Sequence, residues 1–175
     1  MDKRVVIAVG VGVGVLLLAL PAYGVGNNVV SLIKKKLTLK QRRNATIIAE
    51  EFAKAGLPPI AAAAAIANAW AESKLNEKAE GDGGHSWGLF QLNDWGAGHG
   101  LTVEYRIDPR NNAQTILNRE VLKGFGKAFR QRLAEGARVG ELAAIFCRDI
   151  ERPKDKEGEM AKRSDLAETM FPSLA

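Results

Sequence analysis

Between Pro59 and Ser73 the chain reads PIAAAAAIANAWAES, nearly all alanine with Ile60, Ile66 and Trp70. Side chains this small let neighbouring elements come close, so the stretch predicts a helix buried at the centre of a packed domain. Pro59 opens it at a position where a missing N–H costs nothing. A buried helix seldom ends in an acid, yet Glu72 stands in its last turn. Beyond it lie a polar excursion with a Gly-Asp-Gly-Gly turn, residues 81–84, and an apolar return, Ser86-Trp87-Gly88-Leu89-Phe90-Gln91-Leu92-Asn93. The return predicts a short strand running back toward the helix, within a small β-hairpin region.

The flanks are helical. Residues 38–55 predict an amphipathic helix, with Thr38 and Gln41 as a capping box and Leu39, Ile47, Ile48, Phe52 and Ala55 on its core face. Gly56 and Pro58-Pro59 end it. Asp108-Pro109 predicts an N-cap and a helix to Lys123, with Ala113, Ile116, Leu117 and Val121 inward. Residues 127–134, 139–150 and 158–170 predict three more, the second stopped by Glu151-Arg152-Pro153. The fold class is mainly α, of α+β type, with one small hairpin sheet beside a cleft.

Cleaving a glycosidic bond takes a protonated acid beside the leaving oxygen and a base or charge stabiliser on the other face of the sugar. An acid among alanines and a tryptophan, as Glu72 is, sits where apolar surroundings favour the protonated form. Asp82, in a polar turn, sits where ionisation is cheap. The pair predicts Glu72 as general acid and Asp82 as the group that positions or activates a water, with the Ser86 hydroxyl on the same water. Plainer readings stay open on the residues alone. Glu72 also fits a helix-end cap or a partner for Lys74 or Lys78, and Asp82 fits a turn former. Trp87 and Trp95 fit core positions or faces for sugar rings. Gln91 and Asn93 fit solvated amides or partners for substrate amides. The one cysteine, Cys147, lies in an apolar run and reads as a small buried hydrophobe. His85 and His99 sit in Gly-rich sequence, with no metal cluster, nucleotide loop or nucleophile motif around them.

Trp70-Ala71-Glu72-Ser73, followed by Gly88-Leu89-Phe90-Gln91-Leu92-Asn93, resembles the lysozyme-like superfamily, in which a helix-terminal Glu, often followed by Ser, precedes a similar strand. The run Gly81 to Gln91, the Asp108-Pro109 helix, Glu151-Arg152-Pro153 and the helix with Arg163 and Ala167 resemble the phage tail-type lysozymes, over residues 39–170. The spacing of Glu72, Asp82 and Ser86 is similar to the acid, Asp and hydroxyl set of the T-even phage lysozymes. The resemblance implies a muramidase acting between N-acetylmuramic acid and N-acetylglucosamine, with no metal and no cofactor. It implies Glu72 and Asp82 as catalytic residues and Ser73, Ser86, Trp87, Gln91 and Asn93 as substrate-binding ones. Lytic transglycosylases share the Glu-Ser and strand motifs, work with a single Glu and leave 1,6-anhydro products; Asp82 argues for hydrolysis. A catalytically inactive virion component is the structural alternative, and an intact Glu72 argues against it.

Charge divides the chain in two. Of a formal net charge of +5, almost none belongs to the domain: from Leu37 on, 20 Lys and Arg meet 19 Asp and Glu. The excess lies at Lys3 and Arg4 and in Lys34, Lys35, Lys36, Lys40, Arg42 and Arg43. A short basic run beside an apolar segment reads as membrane-flanking rather than as a nucleic-acid footprint. Residues 5–25 form 21 positions without a charge, about 30 Å as helix, which spans a bilayer core. The expected organisation is therefore a membrane anchor with its basic flank, residues 1–36, and a catalytic domain, residues 37–175. A cleavable signal peptide ending near Ala22-Tyr23-Gly24 is the rival reading, as for an endolysin acting at host lysis. Six basic residues after the apolar run and two before it would leave the domain on the cytoplasmic side, where no peptidoglycan lies. A single-pass virion protein whose coat assembles on that face of the host membrane resolves the conflict. The partners expected are peptidoglycan, the bilayer and other virion proteins.

Overall fold

The computed structural model describes residues 28–175; the apolar run 5–25, and with it the expected anchor, lies outside them. From Leu39 on, seven α-helices and a three-stranded sheet follow in order. They are α1 (Leu39–Lys54), α2 (Pro59–Ser73), β1 (Glu80–Gly81), β2 (Ser86–Trp87), β3 (Leu92–Asn93), α3 (Val103–Ile107), α4 (Pro109–Ile116), α5 (Lys127–Ala134), α6 (Val139–Ile145) and α7 (Lys156–Met170). No described helix is long and apolar enough to cross a membrane.

The alanine helix is the hub. Ala61 to Ala69 are all buried, and α1, α6 and α7 pack directly on α2. Asn68, the polar exception, donates its amide to the Ala143 carbonyl of α6 at 3.1 Å. Phe146 joins the hairpin to the helices, with ring centroids 5.9 Å from Phe90 and 5.7 Å from Phe129. The core also reaches back before α1: Val29, Val30 and Ile33 are buried in it, and the Lys34 amide donates to the Met170 carbonyl at 3.0 Å. Packing therefore begins ahead of Leu37, the expected start of the domain.

Thr38 and Gln41 form the capping box of α1, each side chain bonded to the other's backbone N–H. Ile47, Ile48 and Phe52 face the core, but Leu39 and Ala55, in the first and last turns, are exposed. At its far end α2 stops on two residues that are not glycine, Lys74 and Leu75, with φ of 55° and 57°. L-residues occupy this left-handed region only when the surroundings hold them there. Here Gln41 Nε2 donates to the Lys74 carbonyl at 3.1 Å and Asn44 Nδ2 to the Leu75 carbonyl at 2.9 Å.

The sheet is antiparallel in the order β1-β2-β3, pairing Gly81 with Ser86 and Ser86 with Asn93. The expected single strand over residues 86–93 is two strands of two residues joined by a turn. Gly88 makes the turn possible: its φ is +84°, and a Cβ there would meet the Arg106 carbonyl at 2.3 Å. Only a glycine fits that approach. The helices expected over residues 109–123 and 139–150 each change character midway, from α to a wider π turn, residues 117–121 and 146–151. One extra residue per turn re-aims the chain, a device common at functional sites. The second π turn ends at Arg152, φ 57°, against Pro153.

Asn112 locks the hairpin turn to α4. Fully buried, it accepts from the Phe90 N–H at 3.1 Å and donates to the Trp87 and Arg106 carbonyls at 3.1 and 2.8 Å. Asn112→Ala orphans these groups and is expected to cost about 3 kcal/mol. Urea denaturation reads the loss, and faster amide exchange at Phe90 localises it.

Candidate active site

Glu72 is the last residue but one of α2, half-buried, and it faces a cleft of about 650 Å³. The hairpin supplies one side of the cleft through Asp82, Ser86, Gln91 and Asn93; the chain from Ile150 to Asp155, with Glu159, supplies the other. Five of the seven residues singled out in the sequence thus share one space. The other two do not line it. The Ser73 hydroxyl lies 2.9 Å from the Ala69 carbonyl and 2.9 Å from that of Leu89, a buried strut between α2 and the hairpin. The Trp87 indole N–H donates to the Gly84 carbonyl at 2.8 Å, closing the turn behind Asp82. Trp95 is exposed and stacks on His85.

Asp82 sits at φ 51°, at the start of the tight turn. Ser86 and Asn93 are cross-strand partners, so their side chains share a face. Ser86 Oγ donates to Asp82 Oδ2 at 2.5 Å, and Asn93 Nδ2 lies 3.0 Å from Ser86 Oγ and 3.2 Å from Asp82 Oδ2. The one proton of Ser86 is therefore committed to Asp82, and the hydroxyl orients the carboxylate. Both bonds fall on Oδ2; Oδ1 has no hydrogen-bond partner among the described residues. Gln91 also lines the cleft, but its amide N–H groups are occupied by the Ala79 and Gly88 carbonyls at 3.1 and 3.0 Å.

The surroundings of Glu72 are not simply apolar. Arg163, from the core face of α7, donates to Glu72 Oε1 at 2.5 Å and to Glu159 at 2.7 Å, and its Nε lies 3.6 Å from Glu151 Oε2. One guanidinium thus serves three carboxyls, Glu72 among them. Burial is the chief reason that the Glu151 carboxyl is held well above the usual carboxylate range; the Glu72 charge adds to it and Arg163 only partly offsets it. Burial likewise pushes the Cys147 thiol up to about 12, which removes it as a nucleophile near neutral pH. On Glu159 a hydrogen bond from Lys162 leads the causes that lower the carboxyl. Among the described residues no three His, Cys, Asp or Glu gather in a metal-binding group.

A model of the phage tail lysozyme family matches residues 43–174. The chain belongs to the phage tail lysozyme family. No curated protein matches it. Membership makes it a lysozyme-like phage protein, a glycosidase-type enzyme that degrades peptidoglycan. The match runs from within α1 to Leu174, so the cleft and every residue around it fall inside it.

In the sequence Glu151 reads as part of a helix stop and Arg163 as part of an amphipathic helix. A signal was present. Arg163 stands at helical spacing from Ala167 and Met170, both buried, and a cation on a buried stripe requires carboxylate partners. Arg163→Leu strands Glu72 and Glu151 without their cation and is expected to destabilise the fold by about 3–5 kcal/mol. Chemical denaturation of the variant against wild type measures it.

Proposed function

We propose that this phage tail lysozyme is a muramidase that hydrolyses the bond between N-acetylmuramic acid and N-acetylglucosamine. Glu72 is the general acid, giving its proton to the leaving sugar oxygen. Asp82, fixed by Ser86 and Asn93, holds or activates the water through Oδ1. The supporting observation is that the two carboxyls line one cleft from separate elements and in contrasting settings, Glu72 beside a buried ion cluster and Asp82 on an exposed turn. Contrast of this kind is what divides acid and base roles between two like groups.

The test uses the full chain in detergent micelles, because Val29, Val30 and Ile33 belong to the core. Purified peptidoglycan is the substrate and mass analysis reads the muropeptides. Reducing-end products are expected from wild type, with losses of about 100-fold or more in both Glu72→Gln and Asp82→Asn. Anhydro products that survive Asp82→Asn would replace hydrolysis with transglycosylation.

We further infer that residues 5–25 anchor the protein in a bilayer, as a virion component that opens the cell wall during infection. The 21 uncharged positions support the anchor, and Lys34, Lys35 and Lys36, all exposed, lie where anionic headgroups would meet them. Sequencing the N-terminus of the protein from purified particles should return the start of the chain, and the chain should stay with the lipid fraction. A mature protein beginning near Val25 would instead make the run a cleaved leader.

A further inference from the structure

Glu151 is the least accountable side chain in the cleft. It is placed by the π turn that ends α6, its side chain is only 8% exposed, and neither oxygen finds a donor as an ionised carboxylate should. Arg163 Nε, 3.6 Å away, is too far for a good hydrogen bond. A buried carboxylate in this state would carry a large desolvation cost. The neighbour that resolves it is Glu72: both carboxyls meet the one Arg163 guanidinium, Glu72 at 2.5 Å and Glu151 at 3.6 Å, and both line the same cleft. Two carboxylates offer no donor; one proton between them supplies it.

The groups facing Glu151 come from three elements. Glu72 reaches it from α2. Glu159 and Arg163 come from α7, and Cys147, held as a neutral thiol, sits one turn back on its own π turn. Arg163 brings one positive charge to three carboxyls. With Lys162 paired to Glu159 at 2.7 Å, a fully ionised cluster would leave one negative charge uncompensated in a largely buried wall, and one proton removes it.

We propose that Glu72 and Glu151 hold one proton between them, with Glu151 the positioning residue that keeps it available at Glu72. The inference rests on the muramidase reading for its use, and on the cluster geometry for its existence. The Glu151 oxygens are buried and Glu72 is the more exposed of the two, so the proton leaves and returns through Glu72. In one turnover the O–H bond at Glu72 breaks and the proton goes to the leaving oxygen, which takes the electron pair of the broken C–O bond. The hydroxyl of the attacking water joins the sugar carbon, and its remaining proton restores the pair. No other reactant is needed. The second carboxyl matters because removing the last proton from the pair sets two negative charges side by side, so the pair stays loaded to higher pH than one carboxyl beside Arg163 would.

The test compares the pH dependence of muropeptide release for the full chain and for Glu151→Gln, in the same micelles. Gln keeps the size and still donates to Glu72, but cannot repel its charge. The limb on which activity falls with rising pH should move down by about one unit or more, an approximately tenfold loss at neutral pH with little change in acid. An unmoved limb would overturn the proposal, even if the variant were uniformly slower. Carbon-13 titration of the glutamate carboxyls in wild type decides the matter without a variant. The signals of Glu72 and Glu151 should respond together in a shared step, with Glu151 above the ordinary range; two independent titrations would overturn the pair. Should wild type cleave nothing, the muramidase reading fails while this titration still decides whether the proton is shared.

Discussion

Where α2 stops determines the site. An alanine helix buried on all sides has no face of its own to orient it, so its position is set by what encloses it and its end by what holds Lys74 and Leu75 in the left-handed region. The hold comes from α1, through Gln41 and Asn44. Gln41 thus does two things at once: its backbone and carbonyl oxygen complete the cap of α1, and its amide fixes the last turn of α2. Ser73 then carries this placement to the hairpin by its contact with Leu89, so both sides of the cleft refer to the same helix end.

The two sides differ in the way they treat charge. On the hairpin, a carboxylate is exposed, aimed by one hydroxyl and one amide and left with an oxygen unused. Beneath Glu72, a guanidinium is shared among three carboxyls in a wall that excludes water from most of them. The first arrangement holds no ion pair, while the ion pairs of the second are costly to break because each partner is left desolvated. The wall beneath Glu72 is therefore a structural one as well.

Much of this was legible in the sequence for reasons that are local. The capping box at Thr38, the N-cap at Asp108 and the bounds of the alanine helix depend on neighbours within four residues, and all three formed as the pattern requires. Asp82, Ser86 and Asn93 came together because a hairpin brings near-sequence residues to one face. The failures are contacts at long range. The split of the strand at Gly88 answers to Asn112 and Arg106, more than fifteen residues away. The cluster under Glu72 answers to Arg163, 91 residues on, and no periodicity in the alanine run signals a guanidinium there. Ser73 and Trp87 carry the right residue types for a sugar site, but backbone carbonyls claim their polar atoms first.

The burial of Val29, Val30 and Ile33 has a consequence for how the protein is assembled. These three side chains contribute roughly 1.5–3 kcal/mol each when removed from water, a large fraction of what separates a folded domain from an unfolded one. The stretch from Val29 to Ile33 is therefore part of the domain's core and not a tether beside it. Only Gly26, Asn27 and Asn28 separate position 25 from the first of those buried residues. Truncation just ahead of α1 would therefore cost the body part of its own core, not merely a tether.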